Sequence, residues 1–116
     1  MDADVKKYLD RDAALGRLGG NVKLYVRLLR QFLDSDYCKE LENAFLSGNE
    51  KEFKILAHSV KGVSSNLALM EIYSGCAKLE SNVKNGVDNA EDLAAFKQIY
   101  KKTEQVVADF IAERNE

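Results

Sequence analysis

The sequence predicts an all-α fold, an antiparallel up-down-up-down four-helix bundle with a short extra helix at the N-terminus. Three observations predict this class. The 116 residues contain no proline, so no helix interior has to accommodate a residue without an amide hydrogen. Apolar residues recur at spacings of three and four in long segments. The segments are joined by short stretches that contain glycine or asparagine, and short connections favour antiparallel packing of neighbouring helices.

Length and composition place the chain among globular proteins. Apolar residues make up 46% and charged residues 31%, values typical of a folded domain rather than a disordered chain. We therefore expect one domain, 1–116, and nothing in the sequence demands more than a monomer. The net charge of −2 gives no reason to expect nucleic acid or an anionic membrane as a partner.

The sequence lacks the features of secreted and membrane proteins. No stretch approaches about 18 apolar residues, and no apolar run follows the acidic N-terminus. We therefore expect neither a membrane-spanning helix nor a signal peptide, and a cytoplasmic location. Cys38 and Cys76 are not spaced as a metal-binding pair and are expected to be reduced thiols, with Cys76 in the core.

The first half of the chain predicts one short and one long helix. A short helix is expected from Val5 to Leu15, and the glycines that follow break it before Asn21, which can cap the next helix. The long amphipathic helix begins at Val22, continues or bends near Ser35-Asp36, and ends at Ser47-Gly48. Its apolar positions are Val22, Tyr25, Leu29, Phe32, Leu33, Tyr37, Leu41, Ala44 and Phe45.

Three more helices are predicted in the second half. Asn49, followed by Glu52, resembles a capping box and begins a helix that reaches about Leu67. The next helix ends at Gly86, and the last begins at Asp88 or Asn89. The expected core residues of these last two helices are Leu69, Ile72, Cys76, Leu79 and Val83, then Leu93, Phe96, Tyr100, Thr103, Val107 and Phe110.

The only histidine of the chain, His58, is predicted to lie on the exposed face of its helix. With Phe53 at zero on a wheel of about 100° per residue, His58 lies near 140°. The predicted core stripe of the same helix lies within about 80° of Phe53 and consists of Leu56, Val60, Val63 and Leu67. A lone histidine is most often a solvated surface residue or a core residue, and the wheel argues against the core.

The residues around His58 suggest a site for an anion. Lys54 and Lys61 lie about one turn before and after it, with Gly62 and Ser65 on the same side of the helix. Two ammonium groups and a hydroxyl suit a phosphate, although both lysines could equally be solvated surface residues. Glycine in a helix interior costs about 1 kcal/mol relative to alanine, so its presence at position 62 calls for an explanation. The absence of a side chain at Gly62 is useful where a partner must approach the helix closely.

The run His58-Ser59-Val60-Lys61-Gly62-Val63-Ser64-Ser65-Asn66-Leu67 resembles the signature of histidine-containing phosphotransfer (HPt) domains, in which His-x-x-Lys-Gly carries the phosphorylated histidine. The resemblance extends to the segment from Leu15 to Asn21, to the leucine-rich segment up to Leu33, and to Leu79-Glu80. It covers about Leu15 to Phe110. Two positions depart from the family pattern, Ala68 where glycine is common and Val63 where a small residue is common.

The resemblance implies a role for each candidate residue. His58 would be phosphorylated on Nε2, and Glu80 would accept a hydrogen bond from Nδ1, which fixes the tautomer. Lys61 is placed to neutralise charge on the phosphoryl oxygens, and Lys54 is a weaker candidate for the same role. Ser65 is a secondary candidate, more readily explained with Asn66 as a polar residue of the helix end. Glu80 could also be an ordinary surface glutamate.

The resemblance also implies partners. The sequence has no glycine-rich phosphate loop, ATP-binding motif or carboxylate cluster suited to Mg²⁺, so we expect no cofactor on this chain and Mg²⁺ on the partner. The partners would be response-regulator receiver domains, with a phospho-aspartyl receiver as donor and another as acceptor. A hybrid sensor histidine kinase is a further candidate partner. The chain would be a phosphoryl carrier rather than an enzyme.

Two alternatives come from other classes of function. A non-catalytic helical adaptor explains the bundle but not His58, Lys61 and Gly62 together. The phosphoacceptor domain of a chemotaxis-type kinase explains the histidine, and predicts a chain that continues beyond Glu116.

Overall fold

A computed structural model describes residues 3–114, in which the regular structure consists of seven α-helices without a β-strand. The all-α prediction is confirmed. The helices are α1 (Ala3–Lys6), α2 (Arg11–Arg17), α3 (Val22–Leu33), α4 (Tyr37–Leu46), α5 (Glu50–Leu67), α6 (Met70–Lys84) and α7 (Ala90–Arg114).

The prediction of a single N-terminal helix from Val5 to Leu15 is wrong, because Asp10 divides this stretch between α1 and α2. The Asp10 side chain accepts a hydrogen bond from the amide of Ala13 at 3.2 Å and so begins α2. Aspartate is among the strongest N-cap residues, and here the cap outweighs the continuous apolar spacing.

The predicted long helix is likewise divided, at the place where a bend was left open. The α3 helix ends at Leu33 and α4 begins at Tyr37. The break consists of three polar residues with low helix propensity, Asp34, Ser35 and Asp36, and the hydroxyl of Ser35 donates to the carbonyl of Phe32 at 2.5 Å. Asn21 caps α3 as predicted, accepting from the amide of Leu24 at 3.0 Å.

Four arms form the bundle: α3 with α4, then α5, α6 and α7. The short connections 47–49, 68–69 and 85–89 place consecutive arms side by side and antiparallel. Aromatic contacts join the first and last arms, Tyr25 with Phe110 and Phe32 with Tyr100, at centroid distances of 5.6 and 5.2 Å. All six residues predicted for the inner face of α7 are buried.

Close packing of α6 on α7 depends on Gly75, which the sequence pattern did not single out. A Cβ at this position would lie 2.6 Å from the ring of Phe96. Deeper along the same interface, the buried Asn82 amide donates to the side chains of Asn89 and Asp92 at 2.8 and 2.6 Å. A buried polar network of this kind requires each group to have a partner, and it fixes the α6–α7 connection.

The N-terminal segment covers the carboxyl end of α5. The amide of Asp10 donates to the carbonyl of Ala68 at 3.0 Å, and the Tyr25 hydroxyl donates to the carbonyl of Leu67 at 2.8 Å. The Arg17 guanidinium donates to the carbonyl of Ser65. These bonds satisfy carbonyls that a helix leaves unpaired at its end.

Two further expectations concern the cysteines and the membrane. Cys38 is half-buried and Cys76 fully buried, and both are free thiols. Burial raises the pKa of Cys76 to about 12, so the thiol stays protonated and packs as a small core residue. Across residues 3–114, no helix combines the length and the apolar character that crossing a membrane would require.

Candidate functional site

His58 lies on the face of α5 that points away from the core, as predicted. Its buried residues are Phe53, Ala57, Val60, Ser64 and Leu67, whereas Leu56 and Val63 are only partly buried. The buried stripe is therefore centred about 30° from the predicted direction, toward Ala57 and Ser64. This rotation leaves His58 on the open side, with 70% of its side chain exposed.

Glu80 of α6 reaches across to the histidine. Its Oε2 lies 2.8 Å from Nδ1 of His58. The side chain of Glu80 is only 19% exposed, because it lies between the two helices rather than in open solvent. The wheel had placed Glu80 at the flank of the packing face, and the structure places it in contact with the imidazole.

Lys61 contacts the second oxygen of the same carboxylate. Its Nζ lies 2.5 Å from Oε1 of Glu80, and its side chain is 25% exposed. Sequence reasoning assigned Lys61 to phosphoryl oxygens and did not predict this ion pair. The signal that could have suggested it is the one-turn spacing of His58 and Lys61, which aims both side chains at the same place on α6.

The ion pair keeps Glu80 in its charged form. The hydrogen bond from Lys61 lowers the pKa of the Glu80 carboxyl, partial burial opposes this by raising it, and the hydrogen bond with His58 lowers it again. The same contact with Glu80 raises the pKa of the Lys61 ammonium. Near neutral pH the pair is therefore a carboxylate and an ammonium.

This charge state decides which imidazole nitrogen can act as a nucleophile. An ionised carboxylate only accepts hydrogen bonds, so Nδ1 of His58 must donate to Glu80. In a neutral ring the lone pair then lies on Nε2, on the side away from α6. The arrangement can present a nucleophilic nitrogen to a partner while a fixed negative charge lies behind the ring.

Open space surrounds Gly62, one turn beyond the histidine. Apart from its chain neighbours and the backbone of its own helix, a Cβ at this position would meet no described atom within 4 Å. On the same face Ile55 is exposed over about half of its surface, a position that the sequence analysis missed although an isoleucine opposite the core stripe is visible on the wheel. The exposed face of α5 formed by Ile55, His58 and Gly62 is called the histidine face below.

The two secondary candidates, Lys54 and Ser65, lie on α5 before and after His58. Lys54 is exposed one turn before His58, and within residues 3–114 no ion pair of its ammonium is found. Ser65 is partly buried near the end of α5, where its carbonyl accepts from Arg17. Its neighbour Ser64 is fully buried and donates to the carbonyl of Lys61 at 2.9 Å, a bond within the helix. In the described part of the chain, no group of three or more His, Cys, Asp or Glu side chains could hold a metal ion.

Comparison with known proteins identifies the class. The model of the Hpt domain family matches residues 27–109, a range that includes His58, Lys61, Gly62 and Glu80. The fold is similar to a solved HPt domain from a sensor hybrid histidine kinase of Shewanella, with a TM-score of 0.83 and 17% identity. That match covers 95% of this chain and 98% of the other. None of the curated proteins compared with the chain is significantly similar in sequence.

The helical bundle with an exposed histidine is thus the architecture of a phosphocarrier module of two-component signalling. The chain belongs to the Hpt domain family, as the resemblance of its His-x-x-Lys-Gly motif predicted.

Proposed function

We propose that the chain, acting as one domain, accepts a phosphoryl group on Nε2 of His58 from a phospho-aspartyl receiver domain and passes it to a second receiver. The observation that carries this proposal is the 2.8 Å contact between Nδ1 of the exposed His58 and the carboxylate of Glu80. It orients the ring and leaves Nε2 free. The family supplies the general activity, and the receiver-to-receiver direction is our proposal.

Phosphoryl transfer to His58 needs no cofactor bound to this chain. The Nε2 lone pair attacks phosphorus, an N–P bond forms, and the P–O bond to the donor aspartate breaks, so the leaving group is the aspartate carboxylate. The imidazole keeps its Nδ1 hydrogen and gains positive charge as the bond forms. Glu80 stabilises this charge through the hydrogen bond that it already makes. Attack by the aspartate of a second receiver reverses the step.

The partner would supply the remaining groups. We propose that receiver domains bring the aspartate and its Mg²⁺, and that they dock on the histidine face. Gly62 lets a partner's loops approach, and Ile55 offers an apolar contact one turn from His58. A hybrid sensor kinase is a candidate source of such a receiver. We place the chain in the cytoplasm, where receiver domains act, and expect it to be a monomer.

The alternative functions explain less of the site. A helical adaptor needs no histidine held by a carboxylate that is itself held by a lysine. The phosphoacceptor domain of a chemotaxis-type kinase would use the same contacts, but its donor would be an ATP-binding domain. The identity of the phosphoryl donor therefore distinguishes these two functions.

The first prediction is that His58 is the sole phosphorylated residue. Wild-type protein incubated with a receiver phosphorylated by acetyl phosphate should gain an acid-labile, base-stable label, and His58→Gln should gain none. Because His58 is exposed, the variant should keep the wild-type helicity and urea midpoint. Lys54→Ala, a change on the same face, serves as the control and should still be labelled. Label on the His58→Gln variant would contradict the assignment, and labelling only by an ATP-binding kinase domain would favour the chemotaxis-type alternative.

A further inference from the structure

The end of the bundle that carries connections 47–49 and 85–89 has two adjacent depressions. The first is a cavity of about 410 Å³ between the α4–α5 and α6–α7 connections, and its apolar lining consists of Ala44, Phe45, Phe53, Val83 and Val87. The second, of about 490 Å³, lies between α4 and α5 and shares Ala44 and Asn49 with the first. Cavities of this size accommodate large side chains. The two depressions together are called the loop-end groove.

Exposed apolar side chains continue the loop-end groove onto the surface. Val87, which lines the first cavity, is 53% exposed, and Leu46, whose chain neighbours Phe45 and Ser47 line the two depressions, is 73% exposed. A single exposed apolar residue needs no explanation, but two beside an apolar cavity are the usual surroundings of a binding site.

The charged residues that line the loop-end groove are acidic. Glu50 and Asp88 line the first cavity, and Glu40 and Glu52 line the second. Among the described residues, no lysine or arginine lines either of them. The apolar lining of the first cavity, with carboxylates around both depressions, is complementary to a ligand that combines an apolar group with positive charge.

We propose that the loop-end groove binds a segment of another protein in which large apolar side chains are flanked by lysine or arginine. The four carboxylates repel nucleic acid and the anionic surface of membranes. A small organic cation would fill one cavity but leave Leu46 and the second cavity uncovered. A peptide segment covers both cavities, places its apolar side chains against Phe45 and Val87, and pairs its cations with the rim.

The groove lies apart from the histidine face, so the two surfaces can be occupied together. The groove residues of α5 that are nearest His58 along the helix, Glu52 and Leu56, lie about 120° and 160° around the helix from it. A partner held at the groove would leave Nε2 of His58 open to a receiver. It would also raise the local concentration of whatever domain it is attached to. The proposal does not depend on phosphoryl transfer.

The test uses two matched peptides and the ¹⁵N-labelled full chain. One acetylated and amidated peptide alternates lysine with leucine and phenylalanine, and the other has glutamate in place of every lysine. Titration of the basic peptide should shift the amide signals of Gly48, Asn49 and Val87, with Kd below about 1 mM. The signal of Gly62 should not move. The acidic peptide should bind at least about tenfold more weakly.

Variants locate the binding and separate it from the proposed phosphotransfer. Leu46→Ser and Val87→Ser should each weaken the basic peptide by about fivefold or more, and a Glu50→Gln, Glu52→Gln double variant by a similar factor. Ile55→Ser, an equally exposed apolar change on the histidine face, is the control and should bind normally. His58→Gln should also bind normally, which distinguishes failure here from failure of the phosphotransfer proposal.

Several results would overturn the proposal. These are equal affinity for the two peptides, shifts centred on the histidine face, or no shifts at peptide concentrations of about 5 mM. Concentration-dependent self-association that shifts Gly48 and Val87 without peptide would assign the groove to a second copy of the chain instead.

Discussion

Each carboxylate oxygen of Glu80 has its own partner. Oε2 contacts Nδ1 of His58, and Oε1 contacts the ammonium of Lys61. A change at Lys61 therefore reaches the imidazole even if the ammonium never touches the phosphoryl group. Without Lys61, Glu80 loses the contact that contributes most to its lowered pKa and to its fixed orientation. The lysine can act in two ways, through Glu80 or directly on phosphoryl oxygens, and a double-mutant cycle separates them.

We predict that the effects of changing Lys61 and Glu80 on the rate of phosphotransfer are not additive. Lys61→Ala should slow phosphotransfer by about one to two orders of magnitude in the wild-type background. In the Glu80→Ala background it should slow transfer by less than about threefold, because the contact through which it acts is already gone. Lys54→Ala is the matched control, because within residues 3–114 this lysine on the same face has no carboxylate partner, and it should have little effect in either background.

Because the chain has a single histidine, the tautomer of His58 provides a second test of this prediction. In a ¹⁵N-labelled sample every imidazole signal belongs to His58, so its tautomer can be read directly. The wild type should show Nδ1 protonated at neutral pH, and Glu80→Ala should show a mixture of tautomers. If Lys61→Ala slows transfer by the same factor in both backgrounds, the lysine acts on the phosphoryl group rather than through Glu80.

At Gly62 we predict that stability and phosphotransfer change in opposite directions. The position lies in a helix interior, with open space where a side chain would project, so Gly62→Ala should stabilise the fold by about 0.4–1 kcal/mol. Gly62→Gln should fold as well as the wild type but lose about tenfold or more in transfer rate, because its side chain covers the histidine face. The measurements are urea midpoints and transfer rates of the three proteins.

Gly75 provides the matched control for Gly62. It is also a helical glycine, but a Cβ there would lie 2.6 Å from the ring of Phe96, so Gly75→Ala should destabilise the fold. A Gly62→Gln variant that transfers phosphate at the wild-type rate would show that close approach at Gly62 is not required.

The α5–α6 turn depends on an unusual backbone angle at one alanine. Ala68 ends α5 with φ of 58°, the left-handed region that glycine adopts without strain. The departure from glycine noted in the sequence thus leaves the turn in the geometry that glycine would adopt. The bonds from Asp10 and Tyr25 to this end of the helix support the strained angle.

We therefore predict that Ala68→Gly stabilises the protein. Removing the left-handed strain should contribute about 1 kcal/mol, reduced by the greater entropy of glycine in the unfolded chain and by the loss of a buried methyl group. Urea denaturation should give a higher midpoint with an unchanged slope. Ala68→Val should lower the midpoint, because a β-branched side chain is least compatible with this angle. A lower midpoint for the glycine variant would mean that the buried methyl group outweighs the strain.

The longer a helix is, and the more regular its apolar spacing, the better the sequence predicted it. The α7 helix has six spaced positions predicted to face inward, and all of them are buried. Predictions failed where a polar side chain competes with that pattern, as at Asp10, whose side chain caps the start of α2. An N-cap bond of this kind is worth about 0.5–2 kcal/mol, which is enough to begin a new helix but does not appear in apolar periodicity.

At the scale of the whole molecule, the sequence predicted the bundle but only part of the arrangement of its side chains. A helical wheel gives the direction of each side chain from its own axis, and that placed His58 outward and Glu80 at the flank of α6. It carries no information on how α5 and α6 are rotated against each other. The pairing of Lys61 with Glu80 depends on that rotation, and the loop-end groove depends in addition on how α4 and the two connections pack against α5. The assignment of the roles of these residues stays a prediction.

The histidine and its glutamate are only 22 residues apart, on consecutive helices joined by the two residues Ala68 and Leu69. Closing so short a loop costs little chain entropy, and contacts that are close in sequence are the first to become favourable during folding. The α5–α6 hairpin can therefore form before α3 and α7 meet through Tyr25 and Phe110, which are 85 positions apart in the chain. His58 can therefore meet Glu80 before the last helix packs against the first part of the bundle.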